Sequence, residues 1–221
     1  MNKHAALLFF VAAPLWSHDA ITTKLTWTQE ISRIVYKQCG SCHREGGAAM
    51  SLLTYEAVRP WAKAIRDEVL SRRMPPWGAV QGVGNFAGDP SLSQPEIDML
   101  VGWVEGGAPQ GDPAFLPTHL PAAKPPTAMP KYSRTVVCAN NTKLAGALNL
   151  VAIRPKGLQD GNSLEAWAIK PDGAVERLLW VNQYRRRWAH DYVLANPLLL
   201  PAGTRLRVAA KPGVTASFLG Q

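Results

Sequence analysis

The sequence predicts an α+β multidomain protein: a helical region over residues 24–113, then an all-β antiparallel sandwich over 132–221. Three observations carry this. Apolar residues recur at helical spacing in three segments before residue 106. Seven prolines crowd residues 107–131, a density that no helix or central strand survives. After residue 132 the chain turns to short runs of Val, Leu, Ile and Trp bounded by turn residues.

Each helical segment carries its own start or stop signal. "TWTQEISRIVYKQC" places Ile31, Ile34 and Val35 on one face, with Thr28 as the expected N-cap. In "TYEAVRPWAKAIRDEVLSRR", Thr54 caps a first turn and Pro60 suits the first position of a longer helix. Trp61, Ala64, Ile65 and Val69 are its expected apolar stripe, and Arg72 and Arg73 close it in the sense the helix dipole favours. "SQPEIDMLVGWVEGG" is the clearest helix. Ser93 and Glu96 form a capping box, Ile97, Leu100, Val101 and Val104 share a face, and Gly106 and Gly107 end it. Residues 114–131 read as a semi-rigid linker. The predicted strands lie in "RTVVCAN", "AGALNLVAIRP", "SLEAWAIK", "AVERLLWVNQY" and "TRLRVAA". The turns "KPDGA" and "LPAGT" punctuate them.

Length and composition set outer limits. The 221 residues, 47% of them hydrophobic, suffice for one large or two small cores. Residues 1–18 read as a signal peptide: Lys3, then the apolar run "AALLFFVAAPLW", too short to span a bilayer. A periplasmic or secreted location follows, with no membrane span after signal removal. Three cysteines are too few for a disulfide framework, and Cys138, in a strand-like context, reads as a buried free thiol. Residues 19–113 hold nine Lys/Arg against eleven Asp/Glu, whereas 114–221 hold fourteen against five. The second part therefore carries the chain's positive charge and fits an acidic partner or an anionic surface.

The most informative stretch is "CGSCHREGG". Cys39, Cys42 and His43 allow a redox dithiol, a zinc corner or a covalently attached haem. A thioredoxin-type pair follows a strand and opens a helix, but this one ends a predicted helix. Zinc needs four ligands, and His119, His190 and Cys138 are scattered. C-x-x-C-H is by itself the attachment sequence for one haem c, the cysteines bonding its vinyl groups and His43 ligating the iron. A low-spin carrier needs a sixth ligand. Met50 stands only seven residues beyond His43, Met99 inside a helix and Met129 in the linker. Met74 opens "MPPW", where Pro75 and Pro76 stiffen the chain, so it is the expected ligand. Trp77 follows directly and is the expected haem neighbour. Trp61 and Trp103 are further candidates, Trp103 reading better as core. The Gly-rich "GAVQGVGNFAG" lacks the strand–helix context of a phosphate loop and is expected to cover a haem edge. Arg185–Arg187 do not indicate nucleic acid, since no nucleic-acid motif accompanies them.

The residues from "CGSCH" through "MPPW", then "LSQPEIDMLVGWVEGGAPQGDP", resemble the c-type cytochrome domain that begins certain bacterial exported proteins. The resemblance implies an all-α class I cytochrome c-like haem domain with His43 and Met74 as axial ligands. The second half, through its Pro-Asp-Gly hairpin, Trp/Tyr segment and Leu-Pro-x-Gly-Thr turn, resembles the trailing β-sandwich of copper type II, ascorbate-dependent monooxygenases. "IRPKGLQDG" stands where copper-binding relatives are histidine-rich, so copper is not expected and the sandwich reads as non-catalytic. The expectation is an exported monohaem cytochrome that passes single electrons to a redox partner protein, not an enzyme, its basic β-domain serving to dock. The alternatives are an electron-input subunit or degenerate relative of a copper monooxygenase, and a haem sensor or peroxidase with an open sixth position.

Overall fold

The computed structural model describes residues 21–119 and 129–221. The expected signal peptide, residues 1–18, and the centre of the linker lie outside the described residues.

The fold is mostly β. Among the described residues, eight strands form two four-stranded antiparallel sheets. They are β1 (Arg134–Cys138), β2 (Asn141–Lys143), β3 (Leu148–Lys156), β4 (Leu164–Ile169), β5 (Val175–Val181), β6 (Tyr192–Leu200), β7 (Arg205–Ala210) and β8 (Thr215–Gly220). One sheet runs β1-β8-β3-β6 and the other β2-β7-β4-β5, which leaves β6 and β5 each at one edge. Their shared core is filled by Leu148, Leu150, Ile153, Leu164, Leu179 and Phe218. The turn at Lys170–Ala174 forms as its residues require: Gly173 has φ 89°, and the Lys170 N–H donates to the Ala174 carbonyl. Cys138 is a fully buried free thiol.

The expected fold class is corrected in its first half: among the described residues there is no sizeable all-α cytochrome domain. The α-helical segments are α1 (Ser32–Ile34), α2 (Tyr55–Val58), α3 (Ala62–Leu70) and α4 (Gln94–Glu105). Only α3 and α4, of 9 and 12 residues, are longer than a single turn. The stretch around α1 winds as π-helical turns over Trp27–Ile31 and Val35–Cys39. The physical reason lies in the stretch between α3 and α4. Pro75, Pro76 and Pro90 cannot sit in a helix interior, and Gly78, Gly82, Gly84 and Gly88 all have positive φ. This segment forms turns instead, and two isolated bridges, Ala79 to Val181 and Phe86 to Leu194, tie it to the sheets. Val80 N–H donates to the Trp180 carbonyl at 2.7 Å and Asn182 N–H to the Gly78 carbonyl at 3.0 Å, along the end of β5. Ala87 N–H donates to the Val193 carbonyl and Ala195 N–H to the Asn85 carbonyl, both at 2.8 Å, along β6. Between these contacts Phe86 is buried in the core shared with the sandwich.

The short helices keep a smaller core of their own, built from Trp27, Ile31, Ile34, Leu100, Trp103 and Val104. Trp103 is fully buried and donates its indole N–H to the Pro109 carbonyl at 2.9 Å. The capping box at α4 is complete in both directions. At the first helical stretch the cap is Thr26, which accepts from Gln29 N–H, while Thr28 is buried. In α3 the inward face is Ala62, Ile65 and Val69, and Trp61 stands outside at 47% exposure.

Because Phe86 belongs to the sandwich core, Phe86→Ala should lower the stability of the sheets by about 3 kcal/mol. The measurement is the denaturant midpoint followed by a β-sensitive signal. A change within error would show that Phe86 is not a core residue of the sandwich.

Candidate functional site

Cys39, Cys42 and His43 come together where the first helical stretch ends. Cys42 N–H at 3.1 Å and His43 N–H at 2.9 Å both donate to the Cys39 carbonyl, closing a tight turn. The chain then loops out through Gly46 and Gly47 and returns. Ala49 N–H donates to the Cys42 carbonyl and Leu52 N–H to the His43 carbonyl, each at 3.1 Å. The close return requires glycine at position 47, because a Cβ there would collide with the Cys42 carbonyl oxygen. The returning loop delivers the backbone carbonyl of Met50 to His43 Nδ1 at 2.9 Å. A carbonyl can only accept, so Nδ1 carries the proton and Nε2 keeps its lone pair. This is the arrangement a metal-bound imidazole needs: one nitrogen oriented by the backbone, the other free to donate electrons.

The thiols are not bonded to each other. Cys42 is exposed. Cys39 keeps some surface but is surrounded by protein atoms. Burial, with the neighbouring Cys42 and Glu96, pushes its thiol up to about 12. A thiol held protonated is a poor redox nucleophile, since attack needs the thiolate. Gln38 and Lys37, just before the motif, contact the Glu96 carboxylate on α4, at 3.4 and 3.5 Å. Burial alone would raise Glu96, but hydrogen bonds from the Ser93 N–H and hydroxyl and from Gln38 outweigh it and hold the carboxyl below its usual range.

Met74 lies just beyond α3. That helix closes with Arg72 at φ 51°, after which the Arg73 and Met74 N–H groups both donate to the Glu68 carbonyl, at 2.9 and 3.3 Å. The Arg73 guanidinium grips the Glu68 carboxylate through two bonds of 3.0 and 2.8 Å, and this holds that carboxyl below its ordinary range. Met74 and Trp77 line a cavity of about 510 Å³ with Val69, Leu92, Ile97 and Trp188. Cys39, Cys42 and His43 are not part of that lining. Of the other methionines, Met50 and Met129 are about half exposed, at 47% and 55%, and Met99 packs against the helical core.

Trp77, beside Met74 in that lining, also packs against the sandwich. It stacks on His190 with ring centroids 4.6 Å apart and meets Phe86 and Tyr192 edge-on at 6.1 and 5.2 Å. The Tyr192 hydroxyl donates to the Trp77 carbonyl at 2.8 Å. His190 Nδ1–H donates to the Trp188 carbonyl at 2.6 Å, and its Nε2 is buried with no protein partner. Sequence reasoning missed this cluster, and nothing within "RWAHDY" signals contact with "MPPW". It also missed the Met50 carbonyl, although the Gly46–Gly47 pair is a sign of a tight return. "GAVQGVGNFAG", expected against a haem edge, meets the two sheets at two isolated bridges. Arg72 and Arg73, at the end of α3, bond Gln94 and Glu68.

The donor set suits a c-type haem: two unbonded thiols on one turn, an imidazole with Nε2 free, and a thioether after a stiffened helix end. Among the described residues no three His, Cys, Asp or Glu side chains converge as a metal-holding group. No helix among them is long and apolar enough to cross a membrane. No family model, no curated protein and no solved structure matches the chain.

Burial holds His190 below its ordinary value, against the opposing pull of the Trp188 carbonyl and Asp191. The folded protein therefore favours the neutral ring, and the unfolded chain takes up its proton first. This contribution to stability is complete above about pH 6.5 and is lost as pH falls below it. Glu68 and Glu96 titrate below the usual carboxylate range, a separate window. The melting temperature should therefore fall between pH 7.5 and 5.5 in the unaltered protein, and this slope should flatten in His190→Gln. An unchanged slope in the variant would contradict the assignment.

Proposed function

We propose that this protein is an exported monohaem c-type cytochrome that carries single electrons. Cys39 and Cys42 would hold the haem, and His43 Nε2 and Met74 Sδ would ligate its iron. The observation that carries this reading is the hydrogen bond from His43 Nδ1–H to the Met50 carbonyl, which fixes the tautomer and leaves Nε2 as the free donor, on the turn that also carries two unbonded thiols. A haem held there supplies an iron that accepts and returns one electron.

The protein's part in this chemistry is orientation. The turn that closes on the Cys39 carbonyl sets the spacing of the two thiols. The Met50 carbonyl fixes the plane and basicity of the imidazole. The thioether is a weak ligand, so its effectiveness depends on the chain around it being held, which the end of α3 and the two prolines provide. The trailing sandwich carries most of the positive charge and would meet an acidic redox partner. Its ion pairs include Arg154 with Asp191 and Lys170 with Glu176, while Arg177 and Arg187 each stand over a tryptophan ring. The latter two guanidinium groups lie 5.4 and 5.3 Å from the ring centroids of Trp180 and Trp188.

The test is spectroscopic. The oxidised protein should show the weak near-infrared band of sulfur-to-iron charge transfer, and Met74→Ala should lose it while keeping the haem. The reduced Met74→Ala variant should bind carbon monoxide that the unaltered protein excludes. Carbon monoxide binding by the unaltered protein would contradict Met74 ligation and favour an open sixth position.

A further inference from the structure

From Trp77 onward, the segment following Met74 is held by the sandwich at several points. Trp77 stacks on His190, and its carbonyl receives the Tyr192 hydroxyl. One residue later the Gly78 carbonyl accepts from Asn182 N–H, and Val80 N–H then donates to Trp180. Phe86 is buried in the sandwich core, and Asn85 and Ala87 bond to β6. On the other side of Met74, its own N–H and that of Arg73 are bonded to the Glu68 carbonyl at the end of α3. Between these two anchors stand only Met74, Pro75 and Pro76, and the prolines have fixed φ. The sulfur-bearing residue is suspended between a helix end and the edges of two sheets.

We infer that the sandwich is the clamp that positions Met74: the Trp77–His190–Tyr192 cluster fixes the far end of the "MPPW" segment and keeps the thioether from swinging away. Its bearing on an iron ligand rests on the haem reading above. The β-domain then has a role inside the chain, beyond docking. Trp77 is a positioning residue, acting on Met74 through two prolines. The clamp is built from one stacked and two edge-on ring contacts together with one hydrogen bond. Contacts of this kind are individually modest and add where they converge on one side chain.

The experiment compares Trp77→Ala, Trp77→Phe, Tyr192→Phe and a control, Leu206→Ala, in the full chain. Leu206 is fully buried on β7, which β4 separates from the β5 edge. The first readout is amide hydrogen exchange at Arg73 and Met74, whose N–H groups report whether the segment is held. Trp77→Ala should speed exchange there by about a hundredfold, Tyr192→Phe by about fivefold, and Trp77→Phe should restore most of the protection. Leu206→Ala should leave these two amides unchanged relative to the rest of α3. The second readout is the rate at which imidazole replaces the sixth ligand in haem-loaded protein, and it should rise in the same order. Equal exchange at Arg73 and Met74 in Trp77→Ala and the unaltered protein would overturn the clamp. If the unaltered protein holds no haem, the haem reading fails, and amide exchange alone still decides whether the clamp exists.

Discussion

The structure turns on how the looped segment between α3 and α4 satisfies its backbone. Residues 78–87 make four backbone hydrogen bonds along the edges formed by β5 and β6, at two isolated bridges. Left in the open, the segment and the two edges would all present N–H and C=O groups without protein partners. The four bonds tie the segment to both edges at once. They also bear on the architecture, because a stretch that lies between α3 and α4 in sequence packs against the sandwich in space. The short helices are thereby joined to the sheets through these bonds and a buried phenylalanine.

That arrangement places two different kinds of rigidity around the site. Near Cys39–His43 the rigidity is local. A turn, a tight glycine return and one carbonyl orient an imidazole within a dozen residues. Around Met74 it is non-local. The helix end on one side and a cluster from strands more than a hundred residues away on the other fix a side chain that has no strong preference of its own. A weak thioether ligand benefits most from the second kind, since its bond alone would not hold a loop in place. The same division separates what each half contributes. In the proposed reading the helical half supplies the haem donors, and the sandwich restrains one of them.

The legibility of these features in the sequence follows the same division. Short-range features could be read directly: the Ser93–Glu96 box, the Thr54 cap, the Lys170–Ala174 turn, and the strands that became β1, β3, β4, β5 and β7. Each depends on residues within a few positions. β6 escaped because Pro197 interrupts "YVLANPLLL"; the strand tolerates it at a sheet edge, where the register with β3 skips from Leu198 to Val193. β8 escaped because "TASFLG" is short and ordinary, although it lies between β1 and β3 and is almost wholly buried. The all-α domain was expected from three helical patterns and a resemblance. Both overlooked what the intervening glycines and prolines would do once two open edges were near. At the site, local spacing is what singles out Cys39, Cys42, His43 and Met74 as candidates. The partner of Trp77 was not, because a contact between residues 77 and 190 leaves no local pattern.

The central proposal is that Cys39 and Cys42 would carry one haem covalently, with His43 as a ligand to its iron. The most direct measurement is a pyridine haemochrome spectrum of the mature protein, made in a host competent for cytochrome maturation, before and after acid-acetone extraction. The account predicts a c-type spectrum at one haem per chain that stays with the polypeptide through extraction. A colourless protein, or pigment that leaves with the solvent, would contradict it.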